Sequence, residues 1–256
     1  MKTPETRLFS LLGLGLFLFG ATPVRAAEPI RLLVMTGGHE FETNQFLDLF
    51  KADTNLVFQN VAHPHAHAWL DPDLAKRFDV LVLYDLWQDI TGTAETNLLR
   101  WVRSGKGIVA LHHSLADYQA WDDYARIIGG KYYLEPTNVH GIPQPRSTYL
   151  HDVHFHVHVA DPNHPVTRGV TNFDIVDETY GKFEVAPRVH VLLTTDTPTS
   201  SPIIGWAQTI GTARIVYLQL GHGHTAYGNP NYRRLVAQAI QWTAKRDAAE
   251  DGRAGP

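Results

Sequence analysis

The chain has 256 residues, 15 histidines, no cysteine and a formal net charge of −4. The missing thiol excludes a cysteine nucleophile, a disulfide framework and any thiolate metal site, so a metal would have to be held by His, Asp or Glu. The mildly acidic balance offers no basic stripe for nucleic acid.

Residues 1–26 read as a secretory signal peptide. Lys2 and Arg7 flank the start of the apolar run Leu8 to Gly20, and the small residues in Val24-Arg25-Ala26 suit cleavage after Ala26. The run is too short and too glycine-interrupted for a retained membrane anchor, which needs about 20 apolar residues. The product expected is periplasmic or secreted. Residues 27–246 are long enough for one α/β domain with a substantial core, and the charged, small residues 247–256 are expected to be a disordered tail.

Ile30–Met35 is a near-continuous apolar run broken by Thr36-Gly37-Gly38-His39-Glu40. Phe46, Leu47, Leu49 and Phe50 then form a helical stripe over Thr43–Ala52. This strand, glycine loop and helix lack both the G-x-G-x-x-G spacing and a P-loop lysine, so no nucleotide cofactor is expected. Leu56–Val61 is a second strand, and the histidine-rich His63–His67 after it reads as a solvated loop. Asp71-Pro72 opens a short helix, and Val80–Tyr84 is a third strand running into Asp85-Leu86-Trp87. A helix over Thr93–Arg103, capped by Thr93, precedes the strand Gly107–Leu111, which ends abruptly in His112-His113-Ser114. A further helix over Asp117–Ile128 carries Trp121 and Tyr124.

Around 131–165 the rhythm breaks into prolines, glycines and polar residues, an irregular insertion with one clear strand, Val153–Ala160. His154, His156 and His158 share one face of it and read as a solvated polar face, since alternate strand positions lie about 6–7 Å apart. Val170–Val176 leads into Asp177-Glu178-Thr179-Tyr180. Val189–Thr194 is another strand, and Ala213–Leu220 is an apolar run that ends in Gly221-His222-Gly223-His224. Asn229-Pro230 caps the last helix.

Five stretches, Thr36–Glu40, Gly107–His112, His164–Gly169, Asp177–Tyr180 and Arg214–His222, together with the closing Ala239-Ile240-Gln241-Trp242, resemble the ThuA-like family, named for trehalose utilisation. The resemblance implies a class I glutamine amidotransferase-like fold: a flavodoxin-like, doubly wound, mainly parallel sheet, here with the insertion around 131–165. It also implies an association with sugar metabolism. In such a sheet the ends of the first, third and fourth strands lie side by side, so distant residues would converge. Glutamine hydrolysis by a thiolate is excluded, because His112-His113-Ser114 stand where a catalytic cysteine would be.

Two mechanisms follow for a carbohydrate-active enzyme, whether hydrolase, lyase or isomerase. In the first, His112 or His113, His222 and a carboxylate such as Glu178 or Glu40 bind zinc or a similar divalent ion, His112, Glu178 and His222 being the favoured set, with His39, Glu40 or a spare histidine as acid or base. In the second, Ser114 is a nucleophile served by His222 and Glu178; it ranks lower because the G-x-S-x-G spacing is missing. Trp87, His113, Trp121, Tyr149 and Tyr180 are the expected sugar-binding residues. A non-catalytic periplasmic carbohydrate- or metal-binding protein stands as the alternative, and homo-oligomerisation stays open.

Overall fold

The computed structural model describes residues 28–139 and 141–246, so the signal-peptide and tail readings lie outside the described residues. In chain order the parallel part comprises β1 (Ile30–Gly37), α1 (Thr43–Lys51), β2 (Leu56–Ala62), α2 (Pro72–Ala75), β3 (Val80–Asp85), α3 (Thr93–Arg103), β4 (Gly107–Leu111) and α4 (Asp122–Ile128). Short strands β5 (Gly130–Lys131), β6 (Thr137–Val139) and β7 (Ile142–Gln144) lead to the long β8 (Thr148–Val159) and β9 (Phe173–Gly181). After β10 (Glu184–Val185) come β11 (His190–Thr194), β12 (Ile203–Ile210), β13 (Ala213–Leu218), α5 (His224–Gly228) and α6 (Pro230–Thr243).

The main sheet runs β2-β1-β3-β4-β13-β12-β11-β8-β9. Its first five strands pair in parallel, in the flavodoxin-like order, and the remaining pairs are antiparallel. The parallel strands are apolar throughout because helices cover both faces. Along β1, Leu32 and Val34 enter the core beneath α1 and α6, while Leu33 and Met35 enter the core beneath α3 and α4. Asn229 caps α6 by accepting from the Asn231 and Tyr232 amides, with Pro230 at the first helical position.

Several elements differ from the sequence expectation. The first helical residue of α3 is Thr93, but its cap is Gly92 and makes no side-chain hydrogen bond. The helix expected from Asp117 starts at Asp122, because a 3₁₀ turn occupies His112–Ala116 and the buried Asp117 carboxylate accepts the Gln88 amide instead of capping a helix. His63–His67 is only partly a solvated loop: Pro64 and His65 are exposed, but the His63 side chain is 5% exposed with its Nε2 3.0 Å from Asp85 Oδ2, and His67 meets the Tyr118 hydroxyl at 3.0 Å. Strand β12 has no counterpart in the sequence reading; it forms a hairpin with β13 through Gly211-Thr212.

The β8–β9 ribbon decides where the site lies. β8 joins the main sheet only through His158 and Val159, paired with β11. The rest of the ribbon leaves the sheet, and its far end lies against the loop after β13, where Asp177 accepts the Gly221 and His222 amides at 2.7 and 2.9 Å. A bulge places His151 and Asp152 together opposite Glu178, with Asp152 at φ +55°.

Candidate functional site

The polar residues at the strand ends are held by backbone geometry before any side chain meets another. β4 and β13 are in register, Leu111 beside Leu218, so the residues that follow them are neighbours too. His112 adopts φ +52°, a left-handed elbow that costs a residue bearing a β-carbon about 1–2 kcal/mol. It is fastened there: its Nδ1 donates to the Gln219 carbonyl at 2.6 Å, and its own carbonyl accepts the Tyr217 hydroxyl at 2.9 Å. With Nδ1 donating to that carbonyl, Nε2 is the ring atom left facing Glu178 and His222.

The His112, Glu178 and His222 ligand atoms converge. His112 Nε2 lies 2.9 Å from Glu178 Oε2 and 3.2 Å from His222 Nδ1, and His222 Nδ1 lies 3.3 Å from the same carboxylate oxygen. Three atoms each about 2 Å from one ion at tetrahedral angles stand roughly 3.3 Å apart, so the trio fits a zinc-like ion. Among the described residues it is the one such group of His and carboxylate ligands. His151 Nδ1 lies 3.1 Å from Glu178 Oε1, and the Tyr180 hydroxyl lies 2.8 Å from His112 Nε2.

Charge follows burial. Burial alone would raise the Glu178 carboxyl, but hydrogen bonds from His112 and His222 overcome it and hold the group well below the usual carboxylate range. The bond to Glu178 raises the pKa of His222 against the opposing effect of burial. His113 moves the other way: burial, then the neighbouring His112, push it well below the ordinary imidazole value. Its Nδ1 donates to the Asp85 carbonyl at 3.0 Å, and its Nε2 is buried without a hydrogen-bond partner. His39 is lowered by partial burial and then by His222 and His112.

These groups open onto a cavity of about 220 Å³, below the roughly 300–1,000 Å³ of drug-sized pockets and suited to a single small ligand. His39, His113, Glu178, Tyr180 and His222 line it, as do Trp87 and Tyr149, 62% and 57% exposed. Four residues named from the sequence are not among the lining. His112 is fully buried and meets the site through Glu178 and His222. Glu40 is exposed and outside the cavity lining. Trp121 also lies outside and packs on Tyr118. Ser114 is fully buried and its Oγ has no hydrogen-bond partner, so the structure does not form the Ser114–His222 pair that the nucleophile route requires.

The sequence reading missed His151, Tyr132 and Arg146, which line the cavity, and Asp85, which holds His113 through its carbonyl; Asp177, in the motif with Glu178, positions the loop of His222. His151 had a signal. Along the run His151, His154, His156, His158 the first spacing is three instead of two, and the extra residue is the bulge.

A family model described as ThuA, trehalose utilisation, matches residues 31–243. The fold is similar to a ThuA-like protein from Parabacteroides merdae, with a TM-score of 0.72 and 16% identity over 87% of this chain and 92% of that one. A ThuA-like protein from Bacteroides uniformis gives 0.64 and 18% identity over 90% and 98% of the two chains. A glutamine amidotransferase from Thermotoga maritima gives 0.51 and 12% identity over 86% and 100%. No curated protein matches the chain.

Proposed function

The chain belongs to the ThuA, or trehalose utilisation, family, and from that premise we propose that it acts on a small carbohydrate or an oxidised sugar derivative by metal-assisted or His/Glu acid–base chemistry. The observation that carries this reading is the convergence of His112, Glu178 and His222, of which Glu178 and His222 line a cavity with aromatic faces at Trp87 and Tyr149. Exposed aromatic rings beside a polar floor suit the alternating faces and hydroxyls of a sugar.

Two imidazoles whose proton affinities are pushed apart are the usual arrangement for an acid and a base in one site. In the metal-free route His222, raised by Glu178, is the proton donor. His39, an exposed imidazole in the cavity lining whose pKa is lowered, accepts from a substrate hydroxyl, and the buried His113 is a second imidazole held neutral behind it. A zinc-like ion held by His112, Glu178 and His222 would supply Lewis acidity toward a sugar hydroxyl or carbonyl. Export is part of the reading, supported by the leader-like residues 1–26 and the absence of cysteine.

Elemental analysis of the purified protein, followed by turnover of glycosides and keto-glycosides with and without chelator, tests the reading. The expected result is one divalent ion per chain and a turnover that chelation abolishes and the metal restores. His222→Ala should lower turnover at least about 100-fold. Turnover that is metal-free and insensitive to chelator leaves the acid–base route standing, and wild-type turnover in His222→Ala removes both routes. Sugar binding without any turnover would point instead to a binding protein.

A further inference from the structure

The cavity contains one charged group that the histidine cluster does not use. Among its lining residues Arg146 supplies the one guanidinium or ammonium and Glu178 the one carboxylate. Both Glu178 oxygens are committed, Oε2 to His112 and His222 and Oε1 to His151. Arg146 forms no ion pair with an acid among the described residues, so the cavity holds an unmatched cation. Its charge is felt inside: burial, then the Glu178 charge, push the Tyr132 phenol up to about 12, and Arg146 acts against them.

The backbone next to Arg146 is fixed. The buried Ser147 donates its amide to the Tyr133 carbonyl at 2.9 Å, accepts the Tyr133 amide on its hydroxyl at 2.9 Å and donates that hydroxyl to the Lys182 carbonyl at 3.0 Å. The exposed Arg146 side chain therefore projects from a secured strand of chain into the same small cavity as Trp87 and Tyr149.

We propose that Arg146 binds a carboxylate carried by the substrate, so that the preferred ligands are sugar acids or their oxidised derivatives. This rests on the carbohydrate reading of the same cavity. A planar guanidinium matches the two oxygens of a carboxylate with parallel hydrogen bonds. A phosphate dianion usually gathers several donors or a helix N-terminus, and this cavity offers one permanent cation, since the His222 charge is already matched by Glu178.

Isothermal titration of the wild type, Arg146→Gln and Arg146→Lys with glucose, glucuronate and glucose 6-phosphate tests it. The wild type should bind glucuronate about tenfold or more tightly than glucose, weakening with added salt. In Arg146→Gln the glucuronate-to-glucose affinity ratio should fall to about one, and in Arg146→Lys, which keeps the charge without the fork, it should be intermediate. Equal affinities in the wild type, or an advantage that survives Arg146→Gln, overturn the Arg146 assignment and leave the carbohydrate reading standing. A larger gain for glucose 6-phosphate than for glucuronate overturns the carboxylate in favour of phosphate. Binding of none of the three overturns both readings together.

Discussion

Glu178 meets three imidazoles with two oxygens, and its replacement separates charge from shape. Glu178→Gln keeps the volume but removes the anion that raises His222. In a proton NMR titration the His222 imidazole should titrate above its ordinary 6.5 in the wild type and fall in the variant. The stability signs follow by linkage. A raised His222 stabilises the fold fully below 6.5 and loses that contribution as pH rises through its folded value. A depressed Glu178 contributes above its ordinary 4.5 and loses it as pH falls. The pair therefore stabilises most between these limits. His222 is 29% exposed and can lose its proton when the anion is removed, so the loss should stay below the roughly 3–5 kcal/mol of a fully buried pair, and chemical denaturation of Glu178→Gln at pH 6 would read it directly. Turnover should drop at least about 100-fold. An unchanged His222 titration would show that the two groups are not coupled.

At the scale of elements, the site depends on loops that cannot yield. Gly38 sits at φ +78°, and a β-carbon there would stand 1.7 Å from the Leu86 carbonyl oxygen. The two segments are tied, since the Leu86 amide donates to the Gly37 carbonyl at 3.0 Å, so neither can retreat without moving His39. Gly92, at φ +54°, faces open space. Gly38→Ala should therefore lose clearly more stability than Gly92→Ala, whose cost is the positive-φ backbone alone, about 1–3 kcal/mol. Thermal melts of the two variants decide it, and equal losses would refute the clash. The same loops explain what could be seen in advance. β1, β3, β4 and β13 are buried on both faces, so their apolar runs stand out and the histidines ending β4 and β13 are conspicuous. β12 mixes Gly205, Gln208 and Thr209 into its run and carries no clean period. His63 looked solvated because its partner, Asp85, lies 22 positions away on another strand, and local pattern carries no information about such a pairing. Glu178 was legible as a motif, while the ribbon that turns it over the sheet edge depends on β8 leaving β11 after a two-residue contact.

At the scale of the whole molecule, the candidate metal trio joins parts of the chain that the sheet holds far apart in strand order. His112 follows β4, His222 follows β13, and Glu178 comes from β9 at the far end of the sheet. An ion bound there would hold the β8–β9 ribbon onto the parallel half, and binding restricted to the folded state raises stability by mass action. At 100 times its dissociation constant an ion adds about 2.7 kcal/mol, which for a chain of this size moves the melting temperature by roughly 5–10 °C. The proton competes for His222 Nδ1, and because Glu178 raises that affinity, the zinc-induced shift should be larger at pH 8 than at pH 6. Differential scanning calorimetry with and without zinc at the two pH values measures it. With 15 histidines in the chain, a shift alone would not locate the ion: His156 and His158 on β8, their rings 4.8 Å apart, form a second imidazole pair. Glu178→Gln separates the two, because it removes a ligand of the trio and leaves the exposed pair intact. A zinc shift that vanishes in this variant places the ion at the strand ends, and one that persists places it at another imidazole pair, such as His156 and His158 or His63 and His67.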